Sequence, residues 1–154
     1  MNESITNFLQ KVYNLPNATS EERKKFSNLI AITDTLENLS DECDAIMHNL
    51  TKYLSKASQK DSAMRLTEVS EYFASVKLFF EQVCIYYATG ISESQKDHGK
   101  DFESKINKNK KSLKKASRKR IESGSDVKAE LAYIDLVRKI EKAGDCVYTL
   151  IREL

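Results

Sequence analysis

The sequence predicts an all-α protein, an antiparallel up-down-up-down four-helix bundle with a short N-terminal helical arm. Three observations predict it. Apolar residues recur at alternating spacings of four and three through four long stretches, which lines them along one face of each helix. Only one Pro and four Gly interrupt the 154 residues, so helix breakers are scarce. Each stretch also opens or closes on residues with helix-terminal chemistry. Charged residues make up 31% and apolar residues 40%, which suits one soluble domain with its own core.

The arm is read over residues 1–18. Ile5, Phe8, Leu9 and Val12 fall at helical spacing before Pro16 interrupts. The bundle is read over 19–154. Thr19 to Glu22 has capping-box spacing, and the first long helix should run from about 20 to 57 with Ile32, Leu36, Leu39, Cys43, Ile46, Leu50 and Tyr53 inward. The second should start near Asp61 and reach Thr89, where Gly90 ends it. Leu66, Val69, Phe73, Val76, Phe80, Val83 and Ala88 or Tyr87 form its inner face, widened by Tyr72, Phe79 and Tyr86. The segment SESQKD starts a third helix with a thin inner face of Phe102, Ile106, Leu113, Ala116 and Ile121. Ser123-Gly124 stops it, and Ser125 or Asp126 caps a fourth that carries Tyr133, Leu136, Ile140, Ala143, Val147, Leu150 and Leu154. Short connections between such helices make antiparallel neighbours the simplest arrangement.

The first long helix aligns Asp34, Glu37, Asp41 and Asp44 on a face away from its apolar stripe. Like charges one turn apart repel, so a stripe of acids asks for a counter-charge. The same pattern returns 104 residues later, where Glu37 overlays Glu141 and Asp41 overlays Asp145 with the apolar phase kept. In both copies the Glu follows a core residue by one, and the Asp lies one turn on. A carboxylate pair at i and i+4 has Cβ atoms about 6 Å apart, close enough to share a cation. Oxygen-only ligands would favour a divalent cation such as Mg²⁺, Ca²⁺ or Mn²⁺, or iron. The alternative is a solvated face neutralised by basic neighbours. Arg138 and Lys142 flank the second pair, whereas the first has no such neighbour within a turn on its own helix.

LENLSDECDAI and IEKAGDCVYTL resemble the repeated signature of PhoU-like proteins. The helix order over residues 25–154 is most similar to the cytoplasmic C-terminal PhoU-like domain of bacterial sodium/phosphate cotransporters. The second copy keeps the signature glycine as Gly144, while Ser40 replaces it in the first. Ala45 and Thr149 stand where the family usually has Asn, and Thr35 and Lys139 where an acid often precedes the Glu. The resemblance implies metal binding through Glu37, Asp41, Glu141 and Asp145, with Asp34 and Asp44 on the same stripe. It implies a non-enzymatic regulatory or accessory role in phosphate uptake, in the cytoplasm at the inner face of the cell membrane. The implied partner is a transporter membrane domain, in the same parent chain or a separate one. The alternative is a structural helical interaction module without metal. In that case a second copy of the chain is one partner to expect.

Other features narrow the field. Net charge is +2, so electrostatic function must come from local patches. Residues 105–120, KINKNKKSLKKASRKR, hold nine basic residues and no acid. They read as a solvated face complementing the acidic stripe, or as a face for an anionic membrane surface. No groove-reading motif or aromatic stacking platform points to nucleic acid. His48 and His98 form no Glu-x-x-His motif, which disfavours a di-iron oxidase. No nucleophile–base set or glycine-rich phosphate loop is present, so no enzyme is read. Cys43, Cys84 and Cys146 form no C-x-x-C pair and are expected to be reduced, mostly core-lining thiols. The N-terminus lacks the pattern of a signal peptide.

Overall fold

The computed structural model describes residues 2–57 and 59–154. Five α-helices follow one another: α1 (Asn2–Tyr13), α2 (Ser20–Leu54), α3 (Gln59–Thr89), α4 (Glu93–Glu122) and α5 (Val127–Glu153). No strand occurs among the described residues. Local chemistry sets the helix ends. Thr19 and Glu22 close a capping box on α2, and Ser92 and Gln95 close another on α4. Asp126 caps α5 by accepting from the Ala129 amide at 2.7 Å. Gly90 and Gly124 take φ of +85° and +93°, the left-handed setting that lets α3 and α4 stop abruptly. The second long helix begins at Gln59, slightly earlier than the hydrophobic period alone indicates, and α2 ends earlier, at Leu54.

The four long helices do not share the core equally. α5 buries 12 of its 27 residues, including Leu136, Val137, Ile140, Ala143, Val147 and Ile151, and packs against α2, α3 and α4. Asn28 of α2 donates to the Glu153 carbonyl, and Lys139 meets Glu42, so α2 and α5 run in opposite directions. Lys110 meets Glu141 and Arg120 meets Glu130, so α4 also runs against α5. Glu68 accepts from Tyr133 and Arg65 meets Glu130, which sets α3 alongside α5 in the same direction. Gly144 permits the close approach of α4. A Cβ there would lie 3.1 Å from Ile106 Cγ2 and 3.6 Å from Val76 Cγ2. α1 packs on α2 through Leu9, while Arg23 stacks over Tyr13 and donates to the carbonyls of Ala18 and Leu15.

This arrangement changes which residues are inward. On α2, Leu36 and Cys43 are exposed, and Thr35, Ile46 and Tyr53 are buried. On α3, Phe73 and Tyr87 are exposed, as is Ala88, and the buried line is Val69, Tyr72, Val76, Phe79, Val83 and Tyr86. The reason is shared: α2 and α3 both turn toward α5 rather than toward one another. Residues on their facing edges therefore line an open groove instead of a sealed seam. The cysteines follow the same logic. All three are free thiols, but Cys43 and Cys84 are exposed and only Cys146 is half-buried, so they do not line the core as expected.

A buried ionic network closes one end of the molecule. Glu130 on α5 is 0% exposed and takes three side chains from two other helices. Arg65 of α3 approaches its Oε1 at 2.7 Å, Arg120 of α4 donates to the same oxygen at 2.8 Å, and Ser117 of α4 donates to Oε2 at 2.6 Å. Arg120 also reaches Glu68 at 3.2 Å and lies 4.8 Å over the Tyr133 ring, and the Tyr133 hydroxyl donates to Glu68 at 2.6 Å. Two arginines thus face two carboxylates, so the buried charges balance. Burial alone would push the Glu130 carboxyl up. Its hydrogen bonds from Arg120 and Ser117, with the charges of Arg120 and Arg65, outweigh that and hold it below its ordinary 4.5.

Replacing Glu130 with Gln keeps the volume but leaves two buried guanidinium groups with one carboxylate between them. The expected cost is about 3–5 kcal/mol in urea unfolding. A folded-state pKa below 4.5 means that Glu130 contributes stability above pH 4.5, and that the contribution is lost as pH falls through the folded value. Wild-type stability should therefore drop more steeply below pH 4.5 than that of the Gln variant. Equal slopes would contradict the ionised, clamped carboxylate.

Candidate functional site

The α2–α5 register brings the repeated segments together. Asn28 beside Glu153 and Glu42 beside Lys139 define one antiparallel alignment, and in that alignment residues 36–41 lie alongside 140–145. LENLSD and IEKAGD are therefore neighbours, running in opposite directions on adjacent helices. This follows from the packing, because the stripe that α2 presents to α5 includes Thr35, Leu39 and Ile46, and α5 answers with the line that carries Ile140 and Ala143.

The two carboxylate pairs nevertheless meet different surroundings. Asp34, Glu37, Asp41 and Asp44 are all exposed along α2. The side chain of Glu141 is only 14% exposed and is bridged by Lys110 of α4. Asp145, one turn on, is exposed, yet its carboxyl is raised above the ordinary 3.8 by partial desolvation first, and then by the charges of Glu141 and Glu103. Lys110 works in the opposite direction on it. The equal angular position of the two pairs in sequence is therefore not an equal environment. α5 has α4 packed on that side, whereas the pair on α2 is exposed.

The basic residues near the second pair also have specific assignments. Arg138 pairs with Asp135 at 3.7 Å on its own helix. Lys139 and Lys142 both reach Glu42 of α2, at 3.1 and 4.0 Å. The expected neutralisers of Glu141 are thus occupied elsewhere. Its counter-ion is Lys110, which sequence spacing could not identify because it comes from another helix 31 residues away. Glu42 was likewise hidden, as an acid outside the E-x-x-x-D pattern, although it is the carboxylate of α2 that faces α5. Glu103 and Asn107, joined by a hydrogen bond on α4, complete the polar edge around Glu141 and Asp145.

Among the described residues, no group of three or more His, Cys, Asp or Glu side chains is gathered as a metal ion would require. At the second pair, the Lys110 ammonium stands where a cation would neutralise Glu141, and a metal does not fit while that bridge stands. At the first pair, the donors are exposed carboxylates on one helix, and water would have to supply the remaining ligands of a hard cation. Neither His48 nor His98 is buried, and no helix among the described residues is long and apolar enough to cross a membrane.

Removing the Lys110 charge should expose the conflict between the neighbouring acids. In Lys110→Met, the Asp145 carboxyl should titrate at still higher pH than in wild type, because the group that lowers it is lost. Side-chain carboxyl NMR measures this directly, and an unchanged Asp145 titration would remove Lys110 from the site. In comparisons with protein-family models, curated proteins and solved structures, none matches this chain.

Proposed function

We propose that the chain is a non-enzymatic regulatory or accessory domain of a sodium-dependent phosphate transporter. It acts in the cytoplasm at the inner face of the cell membrane, with its four long helices in an up-down-up-down, PhoU-like order. The observation that carries the reading is the side-by-side packing of α2 and α5, which pairs the two signature segments. A repeat that served only as a chance apolar period would have no reason to bring its two acidic motifs to one level. The transporter's membrane domain is the partner in this reading, and the exposed acids of α2 are the groups that a cation would bridge. Glu37 and Asp41 lead, and Asp34 and Asp44 extend the same stripe.

A second reading, a helical interaction module without metal, is favoured by the groove between α2 and α3. Its volume is about 380 Å³, and Leu29, Ile32 and Leu36 face Phe80, Val83 and Tyr87 across it. Such an open apolar groove suits a protein partner.

Two measurements separate these readings. Phosphate uptake in cells with and without the domain should differ in rate or in its response to external phosphate, and identical uptake would remove the transport role. Melting with a chelator, then with Mg²⁺, Mn²⁺ or iron restored, tests the cation. On the first reading, the metal raises Tm by an amount equivalent to about 2.7 kcal/mol at a hundredfold excess over Kd, and Glu37→Gln with Asp41→Asn abolishes the rise. A Tm indifferent to metal in both proteins favours the module without metal.

A further inference from the structure

The outer face of α4 is a strong local charge that no ion pair with a described residue answers. Of the nine basic residues between Lys105 and Arg120, only Lys110 and Arg120 turn inward to carboxylates. Lys105, Lys108, Lys111, Lys115, Arg118 and Lys119 are exposed and Lys114 is half-buried. None of these seven forms an ion pair with a described residue, and Lys105 instead sits 5.6 Å over the Phe102 ring. No acid interrupts the chain between Glu103 and Glu122. At 1.5 Å per residue, the row from Lys105 to Lys119 extends about 21 Å.

The acidic stripe of α2 does not neutralise this face. α2 packs on α1 and α5 rather than on α4. On α5, the residues that meet α2 (Lys139 and Lys142) and those that meet α4 (Glu130, Glu141 and Gly144) fall on opposing sides of the helix. The molecule is therefore polarised, basic on one flank and acidic on the other, although its net charge is only +2.

We propose that the outer face of α4 docks on the surface of an anionic lipid bilayer, with the acidic α2 flank turned to water. The seven cations spread over the outer half of one helix rather than in a cleft, so the face suits a spread of charge rather than one small anion. Six of its seven cations are lysines, which act as point charges, whereas fixed phosphates in nucleic acid are more often gripped by the bidentate fork of Arg. No large apolar residue of α4 is exposed, so attachment is electrostatic, without insertion. A near-neutral but polarised molecule also fits a plane of charge, because the plane attracts one flank and leaves the other in solvent. This inference rests on α4 and is independent of the paired motifs of α2 and α5.

The test uses the full chain and co-sedimentation with vesicles. Binding is expected to phosphatidylcholine vesicles that contain phosphatidylserine and not to phosphatidylcholine alone, and to weaken as salt rises. Each neutralised lysine near the surface should weaken binding about fivefold. Lys108→Gln, Lys111→Gln and Lys115→Gln together should weaken it roughly 100-fold with Tm unchanged, since all three side chains are exposed and pair with no described residue. Lys77→Gln on α3, whose lysine is paired with Glu81, should leave binding as in wild type. Equal binding to both vesicle types, no binding, or tighter binding to duplex DNA or single-stranded RNA than to the serine-containing vesicles would overturn the proposal. Phosphate uptake that depends on the domain, in a protein that ignores such vesicles, would retire this surface and leave the transport role standing.

Discussion

One buried carboxylate sets the geometry of this bundle. Glu130 lies at the start of α5 with no exposed surface, and its two oxygens are taken by Arg65 from α3 and by Arg120 and Ser117 from α4. An apolar seam tolerates sliding by a turn, because one Leu substitutes for another along the stripe. A carboxylate held by two guanidinium groups does not. A shift of one turn, about 5.4 Å, would break every contact and leave charges buried without partners. The net gain from such a cluster over an apolar equivalent is small, because desolvation offsets attraction. Its effect is to specify one register for three helices.

That register has consequences along the whole of α5. With α3 and α4 fixed around its first turns, Tyr72 can donate to the Ile106 carbonyl, and Phe79 stacks on Phe102 at 4.9 Å between centroids. Gly144 then meets Ile106 and Val76 at close range. α2 is held differently, through an apolar stripe and the Glu42 bridges to Lys139 and Lys142. Being anchored on α5 and not on α3, it leaves the α2–α3 groove open and the stripe of Asp34, Glu37, Asp41 and Asp44 exposed. The differing environments of the two acidic motifs are thus a packing result, in which α5 is surrounded and α2 is at the edge.

Much of the fold was legible in local chemistry. Thr19, Ser92, Asp126, Gly90 and Gly124 mark helix ends by mechanisms that depend on a few adjacent residues. Which helix would be central was less legible. A four-three apolar period tells where a helix is greasy, and it does not tell how many neighbours will cover the edges of that stripe. Leu36, Phe73 and Tyr87 sit on such edges and remain exposed. The ionic network was visible only as an anomaly: Arg65, one turn before Val69, and Glu130, beside Ala129 and Tyr133, are charges on otherwise apolar lines. Reading them as partners requires knowing that α3 and α5 run in parallel, 65 residues apart in sequence. The counter-ion of Glu141 was hidden for the same reason, since Lys110 is one of nine basic residues in its segment, and only packing selects it.

α5 is the spine of the molecule, and the other helices are organised by it. Native-state hydrogen exchange tests this most directly, because amides that open only with the whole molecule report the global stability. Amides from Leu136 to Ile151 should exchange only through global unfolding, those of α2 should open at lower free energy, and those of α1, which packs chiefly on α2, should open first. If α5 amides exchanged ahead of those in α2, the spine would lie elsewhere and the account would be wrong.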